Sequence, residues 1–131
     1  MPQLLQNIDQ IGRAKQRDVL FLEFTNTAAP YASNPAREKI LTWFDANGIV
    51  YVECGGYTSE MRTEPYRGQV YIDVPYEVSD PAYMQLEAFL EHADGSMRWD
   101  GARFICYPLD YCMRNAQQDA PGFWDRWAAD F

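Results

Sequence analysis

Glu23, Glu53 and Arg103 are the residues of this chain best placed for acid–base or ligand-orienting chemistry, because each ends or begins an apolar run. Two nearby carboxylates can divide into acid and base when one is desolvated. An arginine beside a carboxylate fixes its orientation through charge-assisted hydrogen bonds. The alternation of the runs puts Glu23 and Arg103 near the same end of neighbouring strands. A cross-strand salt bridge is the plain expectation there, and a carboxylate held ready for a ligand is the sharper one. Glu23 and Glu53 are expected roughly 10 Å apart, at two strand spacings, which is loose for sharing a proton.

Other chemistry is sparsely provided. Cys54, Cys106 and Cys112 form no close ligand pair and leave an odd thiol. A Cys112 nucleophile needs a base, and the chain has one histidine, His92, expected at the margin of a helix's apolar face. Cys54 and Cys106 are expected as buried thiols on the same face as Val50, Val52 and Phe104. No glycine-rich nucleotide fingerprint, Walker loop, zinc spacing or nucleophile elbow occurs. The expectation is therefore no catalytic residue, no metal and no cofactor.

The elements that position these residues follow from periodicity. Runs at 19–24, 49–54, 70–75 and 103–107 have strand character, with helical spacing over 35–47 and 81–93 between them. Asn34-Pro35 and Asp80-Pro81 each pair a capping residue with proline at the first helical position. Asn47-Gly48 and Asp94-Gly95 are the matching stops. A first helix over 2–15, opened by Pro2, shows Leu4, Ile8 and Ile11 as one stripe. After Pro108 come a short turn of helix and a last helix opened by Pro121, whose Phe123, Trp124, Trp127 and Phe131 are too apolar to face water. The chain then reads as one α+β domain over 1–131, with a core at 18–108, an N-terminal helix and a helical extension at 109–131.

The βαββαβ order over roughly 18–108 resembles the ferredoxin-like fold. That resemblance implies an antiparallel sheet of order 4-1-3-2 with both helices on one face. It carries no function, because the plan hosts many activities. The helices at the two ends are additions that could cover the other face. Cys54 and Cys106 would then lie on opposite edge strands, roughly 14 Å apart at three strand spacings and beyond disulfide reach.

Chain direction brings three loops, 25–34, 55–68 and 94–102, to one end of this sheet. The middle loop is long for a hairpin and holds Gly55-Gly56, Tyr57, Arg62 and Tyr66. By strand parity the face away from the two central helices shows Val19, Phe21 and Glu23; Ile49, Tyr51 and Glu53; Gln69, Tyr71 and Asp73; and Arg103, Ile105 and Tyr107. The expected ligand-binding set is Glu23, Tyr31, Glu53, Tyr57, Arg62, Tyr66, Trp99 and Arg103.

Charge narrows the partners. Residues 1–50 balance five basic against five acidic side chains, and 51–131 hold six against fourteen, which is the whole net charge of −8. Such a field disfavours nucleic acid. The apolar stretches are far shorter than a membrane span, and the first residues lack the pattern of a signal peptide, so a cytoplasmic location follows by default. The expected function is an acidic, non-catalytic binding module for a protein partner or a small cationic or aromatic ligand. The alternative is a dimeric ferredoxin-like enzyme of isomerase or oxygenase type, with its pocket on the open sheet face. A homodimer fits either reading.

Overall fold

The computed structural model describes residues 6–24, 34–58 and 66–129, apart from the side chains of 124, 127 and 128. Its elements in chain order are α1 (Ile8–Lys15), β1 (Val19–Phe24), α2 (Pro35–Ala46), β2 (Tyr51–Glu53), β3 (Val70–Ile72), α3 (Pro81–Leu90), β4 (Ala102–Tyr107), α4 (Leu109–Cys112), a 3-10 segment (Met113–Asp119) and α5 (Phe123–Ala129). The four strands form one antiparallel sheet of order β2-β3-β1-β4. This is the expected 4-1-3-2 order read from the opposite edge, in an α+β architecture.

Caps set the two central helices. The Asn34 side chain accepts from the amides of Ala36 and Arg37, and Asp80 does the same for Ala82 and Tyr83, each with proline at the helix start. Ile40, Leu41 and Phe44 of α2 and Tyr83, Leu86 and Leu90 of α3 bury against Leu20, Leu22, Val70 and Ile72. Both helices therefore cover one face of the sheet. Burying a leucine or phenylalanine of this kind contributes about 1.5–3 kcal/mol.

The second face carries its own apolar cluster: Ile8, Ile11, Val19, Phe21, Cys54, Tyr71 and Cys112, with Tyr57, Ile105 and Tyr107 packed against it. α1 lies over this face because Ile8 and Ile11 share one side of the helix. Gly12 lets α4 approach closely: a Cβ there would stand 2.5 Å from the Cys112 sulfur.

Three expectations are corrected. α1 begins at Ile8, and Gln6 and Asn7 stand outside it, because Asn7 is extended and pairs with Gly55 in a parallel bridge while its amide donates to the Gln10 side chain; residues 2–5 of the expected helix lie outside the described residues. α3 ends at Leu90, not Ala93. Arg98 stops it: its amide donates to the Leu90 carbonyl and its guanidinium to the Ala88 and Glu91 carbonyls, satisfying the helix end. His92 accordingly sits exposed in a turn, donating its amide to Ser96 and accepting from Gly95, and belongs to no helix face. Finally, β2 has the opposite parity. Ile49 and Tyr51 face α2 and α3, whereas Val50 and Val52 are more than half exposed and Cys54 enters the second cluster. An edge strand next to an asparagine–glycine turn offers two apolar alternations, and packing of Tyr51 against Phe44 selects this one.

All three cysteines are free thiols. Burial pushes Cys54 up to about 12, and burial with nearby carboxylates pushes Cys106 and Cys112 up to about 11. The reactive thiolate is accordingly scarce at neutral pH. Native protein at pH 8 is expected to react with Ellman's reagent far more slowly than in guanidinium, where all three thiols titrate. Rapid stoichiometric labelling of the native state would contradict this placement.

Candidate functional site

The register decides which of the expected site residues meet. Glu23 pairs with Arg103 across β1 and β4, and their side chains form a salt bridge of 3.0 Å. Glu53 pairs with Val70, on the face covered by α2, and lies 3.6 Å from the Arg37 guanidinium. Glu23 shares its face with Phe21 and Tyr71 instead. The two glutamates therefore project from opposite faces of the sheet, and the same-face expectation for them is corrected. The reason is again the parity of β2.

Trp99 also belongs to the helix side. Its indole N–H donates to the Phe89 carbonyl, and its ring lies 5.2 Å from that of Phe89, which stacks on Trp43 at 3.9 Å. Trp99 thus anchors the turn after α3 and stands apart from the Glu23 face. The Tyr66 hydroxyl donates to the Gln69 carbonyl across the start of β3. Tyr31 and Arg62 lie outside the described residues.

Tyr57 is the member of the set that the structure places most informatively. The chain leaving β2 crosses the second face: the Gly55 amide donates to the Gln6 carbonyl, and the Ile8 amide donates back to Gly55. That path lays Tyr57 beside two tyrosines beyond the expected set. Its ring centroid is 5.8 Å from Tyr107 and 4.6 Å from Tyr111, and those two are 6.0 Å apart. The Tyr57 hydroxyl donates to the Tyr111 carbonyl. The Arg114 guanidinium sits over the Tyr111 ring, 4.8 Å from its centre. Tyr107 was legible as a second-face residue; Tyr111 and Arg114 were not, since their positions depend on how the chain turns after Pro108.

A buried polar network holds the platform in place. Asp9 of α1 is fully buried. Its Oδ1 accepts from the Thr58 amide and hydroxyl at 2.9 and 2.8 Å, and its Oδ2 from Arg13 at 2.9 Å and Asn115 at 3.0 Å. Arg13 reaches on to Asp119 through two hydrogen bonds, at 2.8 and 2.9 Å, and to the Cys112 carbonyl. The hydrogen bond with Asp119 raises the Arg13 pKa, and it holds the Asp119 carboxyl below its ordinary value. One carboxylate thereby ties α1, the Tyr57 segment and the 3-10 segment together.

Electrostatics complete the surface. Burial, helped by Asp9, raises the Tyr57 pKa, and burial, helped by Glu23, raises that of Tyr107. Both rings remain neutral phenols at physiological pH, with electron-rich faces that attract cations. Among the described residues no cluster of histidine, cysteine or carboxylate side chains could hold a metal ion.

No relative identifies this arrangement. No protein-family model matches the chain, and neither a curated protein nor a solved structure shows significant similarity to it. The functional reading accordingly rests on the geometry above. Among the described residues no helix is long and apolar enough to cross a membrane.

Proposed function

We propose that this chain is an acidic, non-catalytic binding domain whose tyrosine platform, Tyr57, Tyr107 and Tyr111, receives a cationic group from a basic protein segment or a small cationic aromatic ligand. The observation that carries this reading is Arg114 over Tyr111: the platform already holds a guanidinium at cation–π distance. Glu23, partly exposed on the same face, supplies a carboxylate beside it. The net charge of −8 favours approach of a basic partner. The enzyme alternative places its pocket against the second face, where Ile8 and Ile11 of α1 and Cys112 of α4 pack among Phe21 and Tyr71. The binding reading is therefore the better supported.

Titration with benzamidinium, and separately with a short arginine–glycine peptide, tests it by aromatic NMR. The expected result is shifts confined to Tyr57, Tyr107 and Tyr111. Tyr111→Leu is expected to weaken binding by roughly five- to thirty-fold, the equivalent of about 1–2 kcal/mol. Glu23→Gln should weaken it too, with an unchanged urea midpoint. Unchanged affinity in both variants would refute the proposal.

A further inference from the structure

Among the described residues, no strand pairs with the outer edge of β4. From Arg103 to Tyr107 the side of the strand turned away from β1 makes no backbone hydrogen bond to any other described residue. Residues 104–107 are partly exposed, and Arg103 is exposed. Soluble proteins usually blunt such an edge by shortness, by lysine or proline within it, or by a bulge. β2, the other edge strand, is three residues long. β4 has six, reading Ala-Arg-Phe-Ile-Cys-Tyr, and its one charge is paired with Glu23 on its own sheet. Apart from the charge of Arg103, β4 carries no such guard among the described residues.

We infer that β4 pairs antiparallel with β4 of a second copy of this chain, joining two four-stranded sheets into one of eight strands about a two-fold axis at Ile105. The register follows from faces and charge. Partners in an antiparallel ladder point to the same face. A two-fold pairing that keeps α2 and α3 of both copies on one side must therefore match residues of equal parity. Centring on Arg103 sets two guanidinium groups opposite each other, which is repulsive. Centring on Phe104 faces Arg103 with Ile105. Centring on Ile105 faces each Arg103 with the Tyr107 ring of the second copy, and Phe104 with Cys106. It also pairs every residue from 103 to 107.

The consequence reaches the tyrosine platform. Tyr107 lies in it, so Arg103 of the second copy adds a cation at its border, and the two platforms become adjacent across the axis. A strand from an unrelated protein would satisfy the same backbone edge. The self-matching register favours the second copy, because both Arg–Tyr pairs form at once by symmetry.

Sedimentation of the full chain from low to high micromolar concentration, with amide hydrogen exchange on the same samples, tests the inference. The expected result is a species of about twice the 15.2 kDa chain mass, with protection of β4 amides rising in parallel. Ile105→Cys in a Cys106→Ser background is expected to cross-link to a covalent dimer with oxidised glutathione. Cβ atoms of directly opposed residues lie about 4.5–5.5 Å apart, so a small backbone shift brings them to the roughly 3.5–4.5 Å of a disulfide. A mass of one chain at all concentrations would overturn the inference. So would a dimer whose β4 amides exchange at monomer rates, or a co-purifying foreign chain that accounts for the β4 protection. If the cysteine variant fails to fold, the wild-type mass and exchange decide the matter alone.

Discussion

Asp9→Ala is expected to lower folding stability by about 2–4 kcal/mol, because several donors lose their shared buried acceptor at roughly 1–3 kcal/mol each. The carboxylate accepts four hydrogen bonds, from Thr58 twice, Arg13 and Asn115. The Arg13 side chain is 3% exposed. Once Asp9 is gone, its guanidinium keeps the half-exposed Asp119 and the Cys112 carbonyl as partners. The Thr58 amide and the Asn115 side chain lose acceptors in the same step. Asp9→Asn keeps the shape but turns donors toward donors, so it is expected to fall between wild type and alanine. Replacing both Asp9 and Arg13 by apolar residues of similar volume should restore much of the loss, since removing a whole buried pair is often near neutral. Urea unfolding at constant slope measures all of these. A loss under about 1 kcal/mol for Asp9→Ala would mean that the network is not a fixed part of the fold.

The same network has a pH signature. Asp119 has a folded pKa below its ordinary value because Arg13 donates to it. A depressed carboxyl contributes stability above its unfolded pKa, and the contribution fades as pH falls through the lower folded value. Asp119→Asn is therefore expected to remove part of the acid-side decline and leave its slope above pH 6 unchanged.

The fold was legible because its punctuation is local. Asn34-Pro35 and Asp80-Pro81 cap the helices they were read to cap, and alternation in β1 and β4 assigns both faces. Strand order came from the resemblance of the βαββαβ element order to the ferredoxin-like plan. β2 was misread because Ile49, Val50, Tyr51 and Val52 are apolar at both parities, so periodicity holds no answer there; Phe44, supplied by another element, decides. The end of α3 was misread because its stop is a side chain eight residues on, Arg98, which no local signal announces. The Glu23–Arg103 bridge was legible as a neighbouring-strand pair. The tyrosine platform was not, because Tyr57, Tyr107 and Tyr111 are joined by a crossing of the second face that depends on the Asn7–Gly55 bridge. Asp9 and Arg13 stand at helical i, i+4 spacing, but their burial comes from the Tyr57 segment and the 3-10 segment, which no local signal announces.

Gly12 shows how tertiary contact reverses a local rule. Glycine inside a helix is worse than alanine by about 0.5–1 kcal/mol, so sequence alone assigns Gly12→Ala a gain. Here an added Cβ would meet the Cys112 sulfur at 2.5 Å, the Cys112 Cβ at 3.1 Å and a Val19 methyl at 3.4 Å. Rotating the sulfur away does not move the Cys112 Cβ, which α4 holds in place. Overpacking of this kind costs about 1–3 kcal/mol, which exceeds the propensity gain. Gly12→Ala is therefore expected to destabilise, by a net 1–2 kcal/mol or so, as about 1–3 less the propensity gain. Cys112→Ala opens a small void and is expected to cost on its own. In that background Gly12→Ala should cost much less, or even stabilise, because the added methyl enters the space the sulfur leaves. A double-mutant cycle is expected to give a favourable coupling of about 1 kcal/mol or more. Additive losses would place α1 and α4 further apart than this contact requires, and with them the 3-10 segment that carries Asn115 to Asp9.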